Sequence, residues 1–353
     1  MEIGIYTFAD IDTHPVTKQT ITPRQRMVNL LEEIEMADQL GLDVFAVGEH
    51  HRPDYLISSP AVVLGAAAVK TKNIKLSSAV TVLSSDDPVR VFQQFAEVDL
   101  LSGGRAEIMA GRGSFIESFP LFGYDLQDYD ELFSEKLEML LKLNEGEIVN
   151  WKGKHTQTIN NRGVYPRPFQ KKLPIWIGVG GTPDSVIRAA EHGLPMALAI
   201  IGGYPSQFVP HVQLYRNVYE KAGYDHGKIQ LSINSHTYIA DDSQQARDEF
   251  YLPYSGVMNR IGRERGWPPG TRQQFDASTE LKGALLVGSP QQVIEKILYQ
   301  HELFGHTRFL AQMSLGAMPH DKILHSMELL GNKVAPSIKK YAANKTVVEK
   351  EGK

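Results

Sequence analysis

Two short segments contain groups that could bind an anion. Arg112 lies between Gly111 and Gly113, directly after an apolar strand-like run, which suits a bidentate contact with a phosphate. A later run leads into Gly178-Val179-Gly180-Gly181-Thr182-Pro183-Asp184-Ser185, the predicted start of a helix, where free N–H groups and the helix dipole attract anions. Each segment alone is also typical of a plain turn. Together they predict a phosphate site formed by Arg112, Gly180, Gly181, Thr182 and Ser185, with Thr182 as the helix N-cap.

A pair of histidines follows the second strand-like run, in Gly48-Glu49-His50-His51-Arg52. Adjacent residues at a strand end point to opposite sides, so the two rings cannot chelate one metal ion together. One imidazole can face a ligand and move a proton near neutral pH. A hydrogen-bonded structural pair explains the same spacing, and His50 is the candidate catalytic residue.

Several other chemistries lack the residues they require. The chain has no cysteine, no P-loop, no Gly-x-Ser-x-Gly elbow and no His-Glu-x-x-His motif. Asp86 and Asp87 are adjacent and make a poor acid/base pair, and Asp87 before Pro88 reads as a helix N-cap. We therefore expect no metal site and no hydrolase centre.

The candidate segments follow strands in a chain that alternates short apolar runs with helical patterns. Eight runs, each followed by a predicted helix, begin near Ile3, Val44, Ile74, Ala106, Ile175, Met196, Ile229 and Arg308. A doubly wound sheet rarely extends to eight units, and a nucleotide-binding one would have a Gly-rich turn after its first strand. The pattern predicts an α/β fold, a single (β/α)8 TIM barrel over residues 1–338, with functional residues at the carboxyl ends of the strands.

Two stretches interrupt this alternation. Residues 145–170 have the turn composition of a hairpin insertion. Residues 259–283, with Trp267-Pro268-Pro269-Gly270 and several arginines, suit a lid over the barrel mouth or a passive surface insertion. Residues 339–353 are predicted to form a frayed tail.

Composition excludes other classes of protein. Of 353 residues, 42% are hydrophobic and 22% charged, and 37 Lys+Arg against 41 Asp+Glu leave a net charge of −4. Neither sign of charge forms a long run, which disfavours nucleic acid and membrane surfaces as partners. The missing cysteines suit a reducing compartment, and the N-terminal residues lack a signal-peptide pattern, so we expect a cytoplasmic protein.

Four segments in this order resemble the luciferase-like flavin-dependent monooxygenases. They are Gly48–His51, Ala79–Arg90, Leu101–Gly113 with Phe122-Gly123 beyond it, and Ile175–Met196. The resemblance covers nearly the whole chain. It implies a barrel that binds FMN, supplied as reduced flavin by a separate reductase, and that uses O2 through a C4a-(hydro)peroxyflavin to oxygenate a small organic substrate. It also implies a homodimer, for which the small-residue helix Ala61–Val69 is a candidate contact.

The resemblance assigns roles to individual residues. His50 matches the histidine beside the reactive edge of the flavin, and Arg112, Gly181, Thr182 and Ser185 match the phosphate site. Either Ser78-Ala79 or Ala79-Val80 matches a bulge with a cis peptide under the isoalloxazine. Two positions differ: Gly111 replaces a cysteine of the light-emitting members, and Asp130 replaces a second phosphate-binding arginine. These differences argue against light emission and predict fewer charges on the phosphate.

Two other functions fit the same sequence. The same barrel could serve an F420-dependent reductase or dehydrogenase, or a flavin-binding protein without turnover. Five aromatic residues are candidates for an apolar substrate pocket and equally for barrel core: Phe8, Phe115, Phe119, Phe122 and Trp267.

Overall fold

A computed structural model describes residues 1–14, 16–113 and 115–351 and confirms the predicted barrel. The strands, in chain order, are β1 (Glu2–Thr7), β2 (Val44–Val47), β3 (Lys75–Ser78), β4 (Thr81–Val82), β5 (Ala106–Gly111), β6 (Ile148–Trp151), β7 (Ile159–Gly163), β8 (Ile175–Val179), β9 (Met196–Ala199), β10 (Leu231–Ile239), β11 (Leu286–Gly288) and β12 (Arg308–Gln312).

The helices pack outside the barrel, and those that the sequence predicted begin close to the expected signals. In chain order they are α1 (Pro23–Gln39), α2 (Pro60–Lys70), α3 (Pro88–Ser102), α4 (Ser118–Phe122), α5 (Tyr129–Glu145), α6 (Pro183–Glu191), α7 (Val209–Lys221), α8 (Ser243–Arg265), α9 (Arg272–Thr279), α10 (Pro290–Phe304), α11 (His320–Leu329) and α12 (Ala335–Glu351). Asp87 is the N-cap of α3, where its Oδ1 accepts hydrogen bonds from the backbone N–H groups of Val89 and Arg90.

Eight parallel strands close the barrel in the order β1, β2, β3, β5, β8, β9, β10 and β12, and β12 pairs with β1. Parallel pairing places all their carboxyl ends at one rim, where the candidate residues were expected. The predicted run that begins near Ile74 is two strands, because the chain bends at Ala79 and Val80 before β4 pairs with β5.

The amino-terminal end of the barrel is filled by a buried ion network. Arg308 donates to both carboxylate oxygens of Glu107, at 2.7 and 3.1 Å, and forms an ion pair with Glu2 at 2.6 Å. Its guanidinium carbon lies 4.2 Å from the ring centroid of Trp176. Since these groups lie at the starts of their strands, a ligand must enter from the opposite rim.

The two insertions are ordered elements. The hairpin predicted over 145–170 is the antiparallel pair β6–β7. The region 259–283, which was predicted as an insertion, is mostly helical. The helix α8 continues into it through Arg265 and ends at Gly266, whose φ is 71°. After a turn, α9 packs back on α8, with the rings of Tyr251 and Phe275 5.2 Å apart.

Sequence reasoning missed two elements before the last barrel strand. The three-residue β11 pairs with β10, and α10 begins at Pro290 behind the N-cap Ser289. Residues 339–351, predicted as part of a frayed tail, continue α12, and Lys339 lies 2.9 Å from Asp43; Gly352 and Lys353 lie outside the described residues. Within residues 1–14, 16–113 and 115–351, every helix is too short or too polar to cross a lipid bilayer.

Candidate active site

The residues predicted to bind phosphate meet at the carboxyl rim. Arg112 directly follows β5, and its Nη2 donates to Thr182 Oγ1 at 2.8 Å. Thr182 Oγ1 lies 3.0 Å from the hydroxyl oxygen of Ser185 in the first turn of α6. The guanidinium, the two hydroxyls and the start of α6 therefore form one polar cluster, which we call the anion site.

A second arginine belongs to the anion site and was missed in the sequence. Arg112 Nη1 donates to Asp130 Oδ1 at 2.5 Å, and Arg188 Nη2 lies 4.0 Å from the same oxygen. Burial, followed by the charge of Arg112, lowers the pKa of Arg188, and its Nη1 is buried with no hydrogen-bond partner among the described residues. The carboxylate of Asp130 thus lies where an anion would contact both guanidinium groups. Arg188 is therefore a second positive charge beside Asp130.

The turn before α6 differs from the prediction in one detail. Thr182 is the N-cap by position, but its side chain makes no capping hydrogen bond, because its hydroxyl accepts from Arg112. Gly181 adopts a φ of 108°, which favours glycine, and its carbonyl oxygen accepts from His211 Nε2 at 2.7 Å. This arrangement leaves the start of α6 open towards the anion site.

The bulge after β3 contains the predicted cis peptide, and it joins Ala79 to Val80. Ser78, the other residue proposed to contact a cofactor here, is fully buried, and its hydroxyl bonds to the backbone O and N of Met109 on β5. Ser78 therefore holds the bulge against β5, and Ala79 and Val80 are the residues at the rim.

Glu49 holds this bulge from the neighbouring strand. Its backbone N–H donates to Val80 O at 3.0 Å, and its Oε2 accepts from the backbone N–H of Val82 at 2.8 Å. Its other carboxylate oxygen lies 2.8 Å from His51 Nε2. His51 thus supports Glu49, and the Glu49-His50-His51 segment combines a structural function with the placement of His50.

Three glycines let the backbone close around the bulge. A Cβ at Gly111 would lie 2.6 Å from the side chain of Val80, and one at Gly178 would meet the same side chain at 2.6 Å. A Cβ at Gly48 would lie 2.5 Å from Ala79 O. Side chains larger than glycine therefore do not fit at these three positions. At Gly111 in particular, Val80 fills the space that a cysteine side chain would need.

His50 lies among aromatic rings next to the bulge. Its ring centroid is 4.5 Å from those of Phe8 and Tyr55 and 5.2 Å from that of Phe115. Burial lowers the pKa of His50 to about 4, so the ring is neutral at pH 7. Its Nε2 is buried without a hydrogen-bond partner in the described part of the chain, which leaves this nitrogen available to a ligand.

The helical insertion reaches this region through Arg52. Arg52 pairs with Glu117 at 2.6 Å and, through its other terminal nitrogen, with Glu264 near the end of α8 at 2.6 Å. Its guanidinium carbon also lies 4.4 Å from the ring centroid of Phe115. Arg52 therefore connects the end of α8 and the segment before α4 to the loop that carries His50.

The five candidate aromatic residues separate into different environments. Phe8 and Phe115 pack on His50, and Phe122 contacts the ring of His51 at 5.1 Å. Phe119 is fully buried, and Trp267 is half exposed on the helical insertion. Phe8 and Phe115 are the members of this set beside the candidate catalytic ring.

Comparison with known proteins agrees with this geometry. A family model described as luciferase-like monooxygenase matches residues 1–307. The chain belongs to this family. The alkanal monooxygenase alpha chain of Photobacterium leiognathi is 24% identical over 328 residues, which cover 86% of this chain and 91% of that protein.

Solved structures show the same fold. Monooxygenase RslO1 from Streptomyces bottropensis has a TM-score of 0.82 at 24% identity, covering 96% of this chain and 99% of that one. The oxygenating constituent of 3,6-diketocamphane monooxygenase from Pseudomonas putida, in complex with FMN, has a TM-score of 0.73 at 20% identity over 96% and 99% of the two chains. An F420-dependent secondary alcohol dehydrogenase has a TM-score of 0.74 at 17% identity over 96% and 98%.

Sequence reasoning about this luciferase-like barrel also missed a polar pair at the rim. His236 and Gln312 are register partners on β10 and β12, and both are buried. Burial lowers the pKa of His236 to about 4. Gln312 is the last residue of β12, where a polar side chain after Phe309, Leu310 and Ala311 was the available signal; β10 contains several polar residues, so His236 carried no such signal.

Proposed function

We propose that the protein binds FMN and uses reduced flavin and O2 to oxygenate a small organic substrate. The observation that supports this most directly is the convergence of Arg112 and Arg188 on one carboxylate oxygen of Asp130. A phosphate that displaced Asp130 would meet two guanidinium groups and the hydroxyls of Thr182 and Ser185. The bulge at Ala79 and Val80 would lie under the flavin ring, between the anion site and His50.

The charge of the anion site favours FMN over the deazaflavin F420. The phosphate of FMN is a monoester that carries up to two negative charges at pH 7, whereas the corresponding phosphate of F420 is a diester with one. Two guanidinium groups match the monoester better. An F420-dependent reductase or dehydrogenase is the alternative, suggested by the F420-dependent structural neighbour.

Bound reduced flavin supplies the electrons that activate O2, and the residues of this chain position and shield that chemistry. Because burial keeps the pKa of His50 at about 4, its imidazole is neutral at pH 7 and does not act as a cationic acid. The neutral ring would donate a hydrogen bond to the reacting oxygen or accept one from it. Phe8 and Phe115 pack against the imidazole ring of His50 and exclude water from it.

The test follows flavin binding and oxygenation separately. FMN is titrated into the protein by fluorescence, and the reduced complex is then mixed with O2 and with aliphatic aldehydes or cyclic ketones. We expect His50→Ala to keep FMN affinity within a few-fold and to lose about 100-fold or more in oxygenation rate, while His226→Ala, at an exposed site, changes neither. Absence of FMN binding by the native chain would refute the proposal, and unchanged turnover in His50→Ala would remove His50 from the mechanism. If the chain binds F420 and leaves FMN unbound, the alternative is correct.

We infer that the protein also pairs with a second copy of itself through α2 and α3. Val62 and Val69 on α2 are each 71% exposed, and Leu101 on α3 is 57% exposed. A Cβ at Gly65 would lie 4.0 Å from the side chain of Leu101, so Leu101 lies beside the exposed apolar side of α2. Gly65 and Ala66 between them allow a close approach of two helices. Light scattering should show a dimer that Val69→Glu dissociates and that Val28→Glu, on the exposed side of α1, leaves intact; a monomeric native chain would contradict this.

A further inference from the structure

A cavity lies at the carboxyl rim between residues that take no part in the anion site or in the packing around His50. It has a volume of about 610 Å³ and lies between the segments that follow β1 and β12 and the helices α1 and α11. Its wall includes Asp10, Arg26, Glu33, Met318 and His320, and it shares no lining residue with the anion site, the bulge or the rings around His50. The proposed flavin site therefore leaves this cavity unexplained.

Asp10 is the unusual group in its wall. The residue is only 3% exposed, and its Oδ2 accepts from the backbone N–H of Gly316 at 2.7 Å. Its Oδ1 has no hydrogen-bond partner in the part of the chain that the structure describes. A buried carboxylate oxygen without a partner is costly, so such an oxygen at a cavity wall indicates a missing donor.

The cations in and beside the wall are already engaged by other carboxylates. Arg26 donates to both oxygens of Glu33, at 2.8 and 3.2 Å, and His320 Nδ1 lies 3.3 Å from Glu33. Arg260 pairs with Asp12 at 2.5 Å. In the described part of the chain Asp10 has no direct ion pair, and burial raises the pKa of its carboxyl group to about 7. A cationic ligand beside it would stabilise the ionised form.

Apolar atoms contribute most of the exposed surface of the wall. The apolar residues are Ile21, Ala317, Met318, Pro319 and Ile323, and the polar residues between them include Thr17, Gln19, Thr20, Asn29 and Ser314. A ligand that fits this cavity carries a positive charge with N–H donors at one end and a short hydrocarbon body at the other. We propose that the cavity binds a small organic ammonium compound, whose charged nitrogen donates to Asp10.

The cavity has a direct structural connection to the proposed catalytic ring. Asp10 and Tyr55 form a β-bridge, and the ring of Tyr55 lies 4.5 Å from that of His50. An ammonium compound at Asp10 thus binds one residue layer away from His50.

The test uses n-butylammonium as the charged probe and n-butanol as a neutral probe of similar size, with the flavin-free protein and isothermal calorimetry. We expect the amine to bind at least about 10-fold more tightly than the alcohol, and Asp10→Asn to remove that difference while the weak binding of the alcohol persists. The asparagine keeps an acceptor for the Gly316 N–H, and an unchanged unfolding temperature checks the fold. Asp321→Asn, next to the cavity on an exposed surface, removes the same charge and should leave binding unchanged.

Equal affinity for the two probes, or an unchanged amine affinity in Asp10→Asn, would overturn the proposal. Since no flavin is present, either result leaves the proposed flavin function untouched. Chemical-shift changes on amine binding should centre on residues 10, 316 and 318; changes confined to the surface acidic groups would also overturn it.

Discussion

In the proposed complex, the phosphate of FMN competes with the carboxylate of Asp130 for the guanidinium groups of Arg112 and Arg188. Variants of these residues therefore test the anion site most directly. Arg112 makes charge-assisted hydrogen bonds, and each such bond contributes about 1.5–3 kcal/mol. Arg112→Ala should therefore weaken FMN binding about 10- to 150-fold. Riboflavin has the same ring without the phosphate, so its affinity should stay within about two-fold.

Asp130 should have the opposite effect. Its side chain is 65% exposed and paired with Arg112 at 2.5 Å, so the ion pair contributes only about 0.5–1 kcal/mol. Because that pair must break when a phosphate binds, Asp130→Asn should tighten FMN binding about two- to five-fold and leave riboflavin unchanged. Arg188→Gln should weaken FMN in the same selective way as Arg112→Ala.

Fluorescence titration of both ligands against each variant measures these effects. Arg162→Ala, at an exposed position of the β6–β7 hairpin, controls for the loss of one positive charge. If Arg112→Ala weakens riboflavin as much as FMN, Arg112 acts through the fold and the phosphate assignment is wrong. If Asp130→Asn weakens FMN, then Asp130 positions the arginines and does not compete with the ligand.

Three further predictions concern the barrel itself. Gly111→Ala should destabilise the protein by about 1–3 kcal/mol, because the new methyl group meets Val80, and adding Val80→Ala should restore much of the loss in denaturant unfolding; full stability of the single variant would show that the bulge moves freely. Glu107→Gln should cost about 3 kcal/mol or more in the same assay, because it leaves the buried Arg308 with less compensating charge, and Glu147→Gln on the exposed hairpin should cost almost nothing. Hydrogen bonds to Glu33 raise the pKa of His320 above 6.5. The stabilisation of the fold by protonated His320 is therefore complete below pH 6.5 and is lost as the pH rises through the folded pKa. His320→Gln should lower the unfolding free energy more at pH 6 than at pH 9, and an equal loss at both pH values would contradict this.

The barrel was predictable because its signals are local. Hydrophobic periodicity, proline at the first helical position and N-caps such as Asp87 identify elements within a few residues, and eight repeats of one pattern leave few alternative folds. β11 escaped because three residues carry too little periodicity. The end of α8 was not predicted correctly, because the glycine and prolines after Arg265 suggested a loop that begins at residue 259, whereas the helix continues through Arg265.

The candidate site was predictable only where a motif is contiguous. Arg112 and the Gly180-Gly181-Thr182 turn have recognisable neighbours, and their strands are adjacent in any barrel with this order. Arg188 lies one turn beyond Ser185 on the same helix face, a spacing that could have revealed it. The function of Glu49 could not be read in this way, since its partner Val82 belongs to a different strand.

The order of strands and helices, and the rim at which ligands must bind, follow from the amino-acid sequence because they depend on interactions between near neighbours in the chain. Which charges meet follows only from the folded chain. Arg112 directly follows β5, Asp130 lies on α5 and Arg188 lies on α6. Asp10 follows β1, Glu33 lies on α1 and Gly316 follows β12. Electrostatic interactions depend on distance and burial, and both are set by packing between segments remote in sequence.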